Sequence, residues 1–461
     1  MTSPTAPRAE PRTGQPIHRP MLAAGVMLAL AWIAQIVVIF GVGYRGPALY
    51  DEQHFHLPTI RSFAEQLPAP DLSDYLVATS PGYHLVMAAV ERALALPDQG
   101  LRLIGGQFAV LAVVLLAWWF GRRVAWWLAV ALAVPIWISP YFFASSVLAL
   151  PEGAAWLGVF VILMLALRPR VSASQLGLMG LVLVVLVAVR QIHLWAAATI
   201  WLVGWLGPNQ NPEPDRLVPR FAELQIRKRI PPTVLSVAVT LPAFVLVAYF
   251  FRLWDGAVPP TFQTGGAANT IEGAAEHTGF NPATPALVFA TFGAFGPFFA
   301  LGLVGPIRRA LAARESSRWL PILFGLVGLM LAVVPATGFD EAAGRWTGLW
   351  TVAGRLPTVA DRSVLIAALA GIGGVVLGAM LLAVSSRDRL VLLGSLVAFT
   401  TAQSANHQSW GRYVNAFVLV VLAMMVALAV GRTQKVRWWV VLGPGVLGFF
   451  LLAGTAYRLL G

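Results

Sequence analysis

Thirteen apolar stretches occupy most of this 461-residue chain, at 21–43, 101–121, 124–140, 153–168, 174–190, 192–206, 232–252, 283–304, 319–335, 363–384, 390–404, 414–430 and 438–457. A helix needs roughly 20 such residues, within a range near 17–25, to cross a bilayer. Backbone facing lipid must satisfy its own hydrogen bonds, which favours helices. Several stretches are short, and 174–206 could be one broken unit. The expected fold is therefore all-α: a polytopic integral membrane protein with about 13 transmembrane helices.

Composition argues against a soluble alternative. Only 11% of residues are charged and 58% are hydrophobic, whereas a soluble chain is about one quarter charged. The 17 Trp residues suit the membrane interface, where an apolar ring with one polar handle is at home. There is no Cys, which excludes disulfides, thiolate metal sites and thiol nucleophiles. The net charge of +12 resembles a nucleic-acid signal, but most Arg residues lie in short clusters between apolar runs. Membrane proteins keep such clusters on the cytoplasmic side, so no nucleic-acid partner is expected. Residues 1–20, polar and Pro-rich, read as a disordered cytoplasmic tail, and 21–461 as a single membrane domain. The run 21–43 is too long for a signal-peptide core and lacks its cleavage site.

Charge orients the bundle. With the tail inside, the inner connections hold Arg122, Arg123, Arg168, Arg170, Arg216, Arg220, Arg227, Lys228, Arg229, Arg308, Arg309, Arg314, Arg318, Arg387, Arg389, Arg432, Lys435 and Arg437. The outer connections (44–100, 141–152, a turn at 190–191, 253–282, 336–362 and 405–413) hold nearly all of the Asp and Glu. Counting 82–97 as a span would invert every later loop. That segment carries His84, Glu91 and Arg92, and reads instead as an amphipathic helix in the outer interface. Residues 51–66 read as a second one, broken or started near Pro58. Both belong to the first outer loop, 44–100.

Charges near membrane depth are costly, and so are functional candidates. The densest group is Asp51, Glu52, His54 and His56. It could supply a general base or bind a metal; equally, acids stabilise the first turn of any helix. Glu152 follows at the outer end of a span, then Arg190, Gln191 and His193 between two apolar runs. Asp255 and His277 lie in a later outer loop, and Asn406 to Tyr413, with Arg412, form a polar island. All fall on one side of the charge-derived topology. Guanidinium groups there suit a phosphate, a carboxylate suits hydroxyl deprotonation, and a groove between helices suits a lipid tail. A transporter or lipid flippase would instead place charges at mid-span and break helices in paired halves. A scaffold subunit would need no acid cluster.

These residues resemble the GT-C glycosyltransferases that use polyprenyl-phosphate sugars, and within them the DIE2-type, dolichyl-phosphate-glucose-dependent alpha-1,2-glucosyltransferase family. Its Asp-Glu pair followed by Phe-His-x-Pro is similar to Asp51-Glu52-Gln53-His54-Phe55-His56-Leu57-Pro58. Its Thr-Thr-Pro-Pro-Gly resembles Ala78-Thr79-Ser80-Pro81-Gly82, and its Tyr-Thr-Asp resembles Leu150-Pro151-Glu152. Arg-Gln-Thr-Asn resembles Arg190-Gln191-Ile192-His193, and Trp-Asn-Gly resembles Trp254-Asp255-Gly256. The C-terminal Asn-Arg-His-Tyr resembles the Arg412-Tyr413 region. One extra residue separates the acid pair from Phe55-His56, and Glu152 stands where the family has Asp.

The resemblance implies an inverting transfer of a hexose, glucose first, from a polyprenyl-phosphate donor to a hydroxyl of a glycan or lipid-linked acceptor. Asp51 would be the base, with Glu52 the competing assignment. Arg190 and Arg412 would meet the phosphate as it leaves. His54, His56, Glu152, Gln191, His193, His277 and Tyr413 would bind or position substrates. The leaving group is already a phosphate ester, so no cofactor is required; two acids beside His54 and His56 leave a divalent metal open. The expected location is a bacterial plasma membrane with the active site facing outward.

Overall fold

The computed structural model describes residues 19–169, 171–207, 226–263, 279–312, 318–431 and 438–460. Nearly all of the tail expected at 1–20, and His277, lie outside them. All thirteen apolar stretches fall on helices. These are α1 (Pro20–Val42), α2 (the continuous segments Ala48–Asp51, Glu52–His56 and Leu57–Gln66), α3 (Gly82–Leu94), α4 (Asp98–Gly121), α5 (Trp126–Trp137) and α6 (Pro140–Val147). After them come α7 (Glu152–Ala166), α8 (Ala173–Val189), α9 (Gln191–Leu206), α10 (Ile226–Trp254) and α11 (Thr284–Ala312). The last are α12 (Trp319–Val333), α13 (Val364–Leu382), α14 (Ser386–Ser404), α15 (Gly411–Val430) and α16 (Trp438–Tyr457). A two-stranded hairpin, Thr358–Val359 with Arg362–Ser363, is the one sheet among the described residues.

Among the described residues seven helices, α1, α4, α10, α11, α13, α15 and α16, are long and apolar enough to cross a membrane, and the bent pair α5–α6 could make an eighth. Helices α7, α8, α9 and α12 are apolar but shorter. Seven or eight candidate spans thus stand where about thirteen were expected. Large apolar side chains face outward along them, among them Ile33, Phe40, Leu241, Val245, Leu326, Met330, Phe449 and Phe450. Water would not tolerate so much contiguous apolar surface on a monomer. The chain is an integral membrane protein.

Local chemistry sets the breaks. The stretch 124–140 is not one straight helix: α5 and α6 meet at 87°. Ser139 is extended (φ −59°, ψ 135°) and precedes Pro140, the first residue of α6. The proline ring disfavours helical backbone in the residue before it, and proline itself suits a helix start. In the 174–206 unit, one extended residue, Arg190 (φ −151°, ψ 109°), separates α8 from α9. The segment 51–66 is helical without a break; its turn Glu52–His56 is π-helical and runs directly into Leu57-Pro58. Pro58 donates no backbone hydrogen bond and its ring crowds the carbonyl four residues back, which a widened turn accommodates.

α13 packs between α11 and α12. Glycines permit this close approach: a Cβ on Gly373 would overlap the Phe289 carbonyl oxygen of α11, and one on Gly374 the Phe324 carbonyl oxygen of α12. Small residues let membrane helices approach in this way. A Gly373→Val substitution is expected to force α11 and α13 apart and to lower stability by about 1–3 kcal/mol, as overpacking does. Thermal unfolding in detergent checks this; an unchanged midpoint would show that the contact is soft.

Candidate active site

Helix α2 brings Asp51 and Glu52 to the end of the bundle, but their environments differ. Glu52 is fully buried. Its carboxylate takes a two-pronged grip from Arg102 near the start of α4 (Nε to Oε1 3.1 Å, Nε to Oε2 3.0 Å, Nη2 to Oε2 2.6 Å). The Ala149 N–H donates to its Oε1 at 2.7 Å. Glu52 therefore ties α2 to α4 and to the α6–α7 connection. The Asp51 side chain is one-third exposed (33%) and accepts from Arg412 Nη1 through Oδ2 at 2.7 Å.

Arg412 lies at the start of α15 and Glu152 at the start of α7. Both line one cavity, together with Ser139, Tyr141, Phe142, Trp156, Asn415 and Ala416. Arg190, held at the α8–α9 break, donates to Glu152 Oε1 at 3.1 Å. The array is joined by aromatic rings: Arg412 lies 4.2 Å from the Trp410 ring centre and 4.9 Å from that of Tyr413, and Arg190 lies 5.5 Å from Tyr413. Arg412 Nη2 also donates to the Tyr413 hydroxyl at 2.9 Å. Glu152 Oε2, Arg190 Nε and Arg412 Nε are buried with no hydrogen-bond partner. Buried charged groups left in that state cost free energy, so they are poised to bind something polar.

The polar island is held in place from outside. The Trp350 indole donates to Ser409 O at 2.6 Å, and Asn281 Nδ2 donates to Ala343 O and His407 O. Trp346 meets Trp410 edge-on at 5.2 Å. The segment 336–362 thereby packs on the stretch of chain that carries Arg412 and Tyr413.

The remaining residues of interest separate by role. Gln191 is saturated: its Oε1 accepts from Ser80 N and Oγ, and its Nε2 donates to Ala78 O and Ala257 O. That amide fastens the 78–82 segment rather than facing the cavity. His54 is exposed and stacks on Tyr50 at 4.0 Å. His193 is buried edge-on against Trp156 at 5.6 Å, with Nδ1 unpartnered. Asp255, at φ +53°, forms the turn after α10. His56 and His84 are stacked and buried, His56 Nδ1 lying 2.9 Å from His84 Nε2. Among the described residues no three His, Asp or Glu side chains converge as a metal-ligand set.

Burial, reinforced by Arg190 and Arg412, holds the His56 pKa down at about 3; burial also depresses that of His84. Both rings are neutral at pH 7, and one donates to the other. Unfolding restores the ordinary value near 6.5, so between pH 6.5 and 3 the unfolded chain binds a proton that the folded chain refuses. Stability is therefore expected to fall on acidification through this window, by up to about 1.4 kcal/mol per pH unit for His56. Melting curves in detergent from pH 7.5 to 4.5 check this, with His56→Gln expected to flatten the dependence.

Three participants escape a sequence reading. Arg102 sits one residue inside an apolar run, where a lone Arg was the available signal. His84 lies 28 residues from its partner, and Asn415 sits within a run that reads as span. Nothing local marks either of them.

The fold and site together define an integral membrane protein whose helix ends gather two carboxylate–guanidinium pairs around one aromatic-lined cavity. No protein-family model and no curated protein matches the sequence. Among solved structures the chain is similar to the crystal structure of ArnT from Cupriavidus metallidurans bound to undecaprenyl phosphate, with a TM-score of 0.40 and 14% sequence identity. The similarity covers 89% of this chain and 60% of that one, so this chain spans less than two thirds of the ArnT chain.

Proposed function

We propose that this protein is a GT-C glycosyltransferase that moves a hexose, glucose first among candidates, from a polyprenyl-phosphate donor to an acceptor hydroxyl. It would act on the outward face of a bacterial plasma membrane, on a glycan or lipid-linked acceptor. One observation carries the reading: Asp51, Arg412, Glu152 and Arg190, from four separate parts of the chain, form two ion pairs, and one member of each, Arg412 and Glu152, lines the same cavity.

In the proposed reaction the acceptor oxygen attacks the anomeric carbon from the face opposite the phosphate. The bond from that carbon to the phosphate oxygen breaks, and its electron pair leaves with polyprenyl phosphate. The acceptor proton passes to Asp51. Its partial exposure and its hydrogen bond from Arg412 suit that role, whereas Glu52 is fully engaged with Arg102 and Ala149. Arg412 and Arg190 would meet the growing phosphate charge, a contribution typically worth several kcal/mol when donors are fixed in advance. Glu152 holds Arg190 in place and offers its second oxygen to a sugar hydroxyl. Tyr413 orients Arg412, and His56, held against His84, steadies α2, which carries Asp51. A transporter would be expected to carry its charges at mid-span; here they stand at helix ends.

The test is purified protein with a panel of radiolabelled polyprenyl-phosphate sugars and membrane extract as acceptor, with and without chelator. One donor should be consumed much faster by wild type than by Asp51→Asn. No donor consumed above background by wild type would overturn the proposal, and equal rates for the two proteins would remove Asp51 as the base.

A further inference from the structure

The opposite end of the bundle carries a second charged cluster, which the proposed transfer does not use. Helix polarity places it there: α9 starts beside Arg190 and ends at this cluster, while α14 starts in it and ends before Arg412. Arg387, Asp388 and Arg389 open α14, and all three are buried. Arg389 donates to Leu381 O and Val384 O at 2.8 and 3.2 Å, capping the end of α13. Arg387 Nε donates to Gly207 O at 3.2 Å, and Arg229 Nη1 donates to Trp205 O and Leu206 O at 2.7 and 3.0 Å. Two guanidinium groups thus meet over the carbonyl end of α9, which the helix dipole favours.

Capping accounts for Arg229 and for one nitrogen of Arg387. It leaves the rest of Arg387 unexplained. That residue is 6% exposed, and both of its terminal nitrogens are buried with no hydrogen-bond partner. Asp388 Oδ1 stands 4.0 Å from Nη1, beyond hydrogen-bond reach. A buried ionised donor is among the costliest groups to leave unmade. Its planar fork matches two oxygens of a phosphate. The charge around it is one-sided: Asp388 is the single acid among the described residues of the inner connections, against Arg122, Arg123, Arg168 and Arg229.

We infer that this end of the bundle binds the phosphate of an anionic phospholipid headgroup, gripped by the Arg387 fork with Arg229 beside it. Free phosphate offers the same chemistry. A lipid fits better because Ile230 and Val234, one and five residues beyond Arg229 on α10, are exposed and apolar (50% and 61%), which gives an acyl chain a surface to lie on. Basic groups between membrane helices on the cytoplasmic side suit acidic headgroups.

Native mass spectrometry of the full chain in nonionic detergent tests this, with dioleoyl phosphatidylglycerol, dioleoyl phosphatidylcholine and inorganic phosphate as probes. Phosphatidylglycerol should bind about tenfold more tightly than phosphatidylcholine, and Arg387→Gln should remove about that factor. Arg387→Lys, which keeps the charge without the fork, should lose several-fold and serves if the Gln variant does not fold. Arg362→Gln, at the other end of the bundle, should bind like wild type. Equal binding of the two lipids, or undiminished phosphatidylglycerol binding by both Arg387 variants, would overturn the site. Inorganic phosphate binding as tightly as phosphatidylglycerol would overturn the lipid assignment.

Discussion

An Asp51→Asn variant is expected to fold like wild type and to transfer sugar about 10²- to 10⁴-fold more slowly, the usual worth of a positioned general base. The substitution changes charge and proton affinity but hardly changes shape. The amide oxygen can still accept the bond from Arg412, and the side chain is one-third exposed, so little packing is lost. The measurement is initial rate with the donor that wild type consumes, alongside a melting curve. A midpoint near wild type with a collapsed rate assigns Asp51 to the chemistry. A rate within twofold of wild type removes it as the base and leaves the array around Arg412 as a binding device only.

Its neighbour is expected to behave in the opposite way. Glu52→Ala should lower stability by about 3–5 kcal/mol, because it strands the largely buried Arg102 guanidinium without its carboxylate. The Ala149 N–H also loses its acceptor, which adds a smaller cost. Glu52→Gln keeps an acceptor for Ala149 and should lose less. Replacing both partners, Glu52→Ala with Arg102→Leu, should recover part of the loss, since no charge is then left unpaired. Melting midpoints in detergent decide the matter. A Glu52→Ala protein with a wild-type midpoint and no turnover would reverse the two roles and make Glu52 the base.

Adjacent acids with such different expected effects show where a sequence reading stops. Neighbouring residues on a helix point about 100° apart, and the π turn beginning at Glu52 alters even that spacing. Which acid meets Arg102 and which meets Arg412, 361 residues away, depends on how α2 lies across the bundle. The same holds for Gln191: an Arg-Gln pair between apolar runs reads as a polar site, yet backbone groups at 78, 80 and 257 take up the whole amide.

The helical, lipid-facing character of the chain was legible residue by residue. The length of an apolar run is a local quantity, and each of the thirteen runs became helix. The gathering of Asp51, Glu152, Arg190 and Arg412 at helix ends could also be anticipated, because desolvating a charge in lipid is costly wherever it stands in the chain. The sharp bend at Ser139-Pro140, the hidden partners Arg102 and His84, and the pairing of acid with base could not. Those depend on distances between segments far apart in sequence, and only packing of one helix on another sets them.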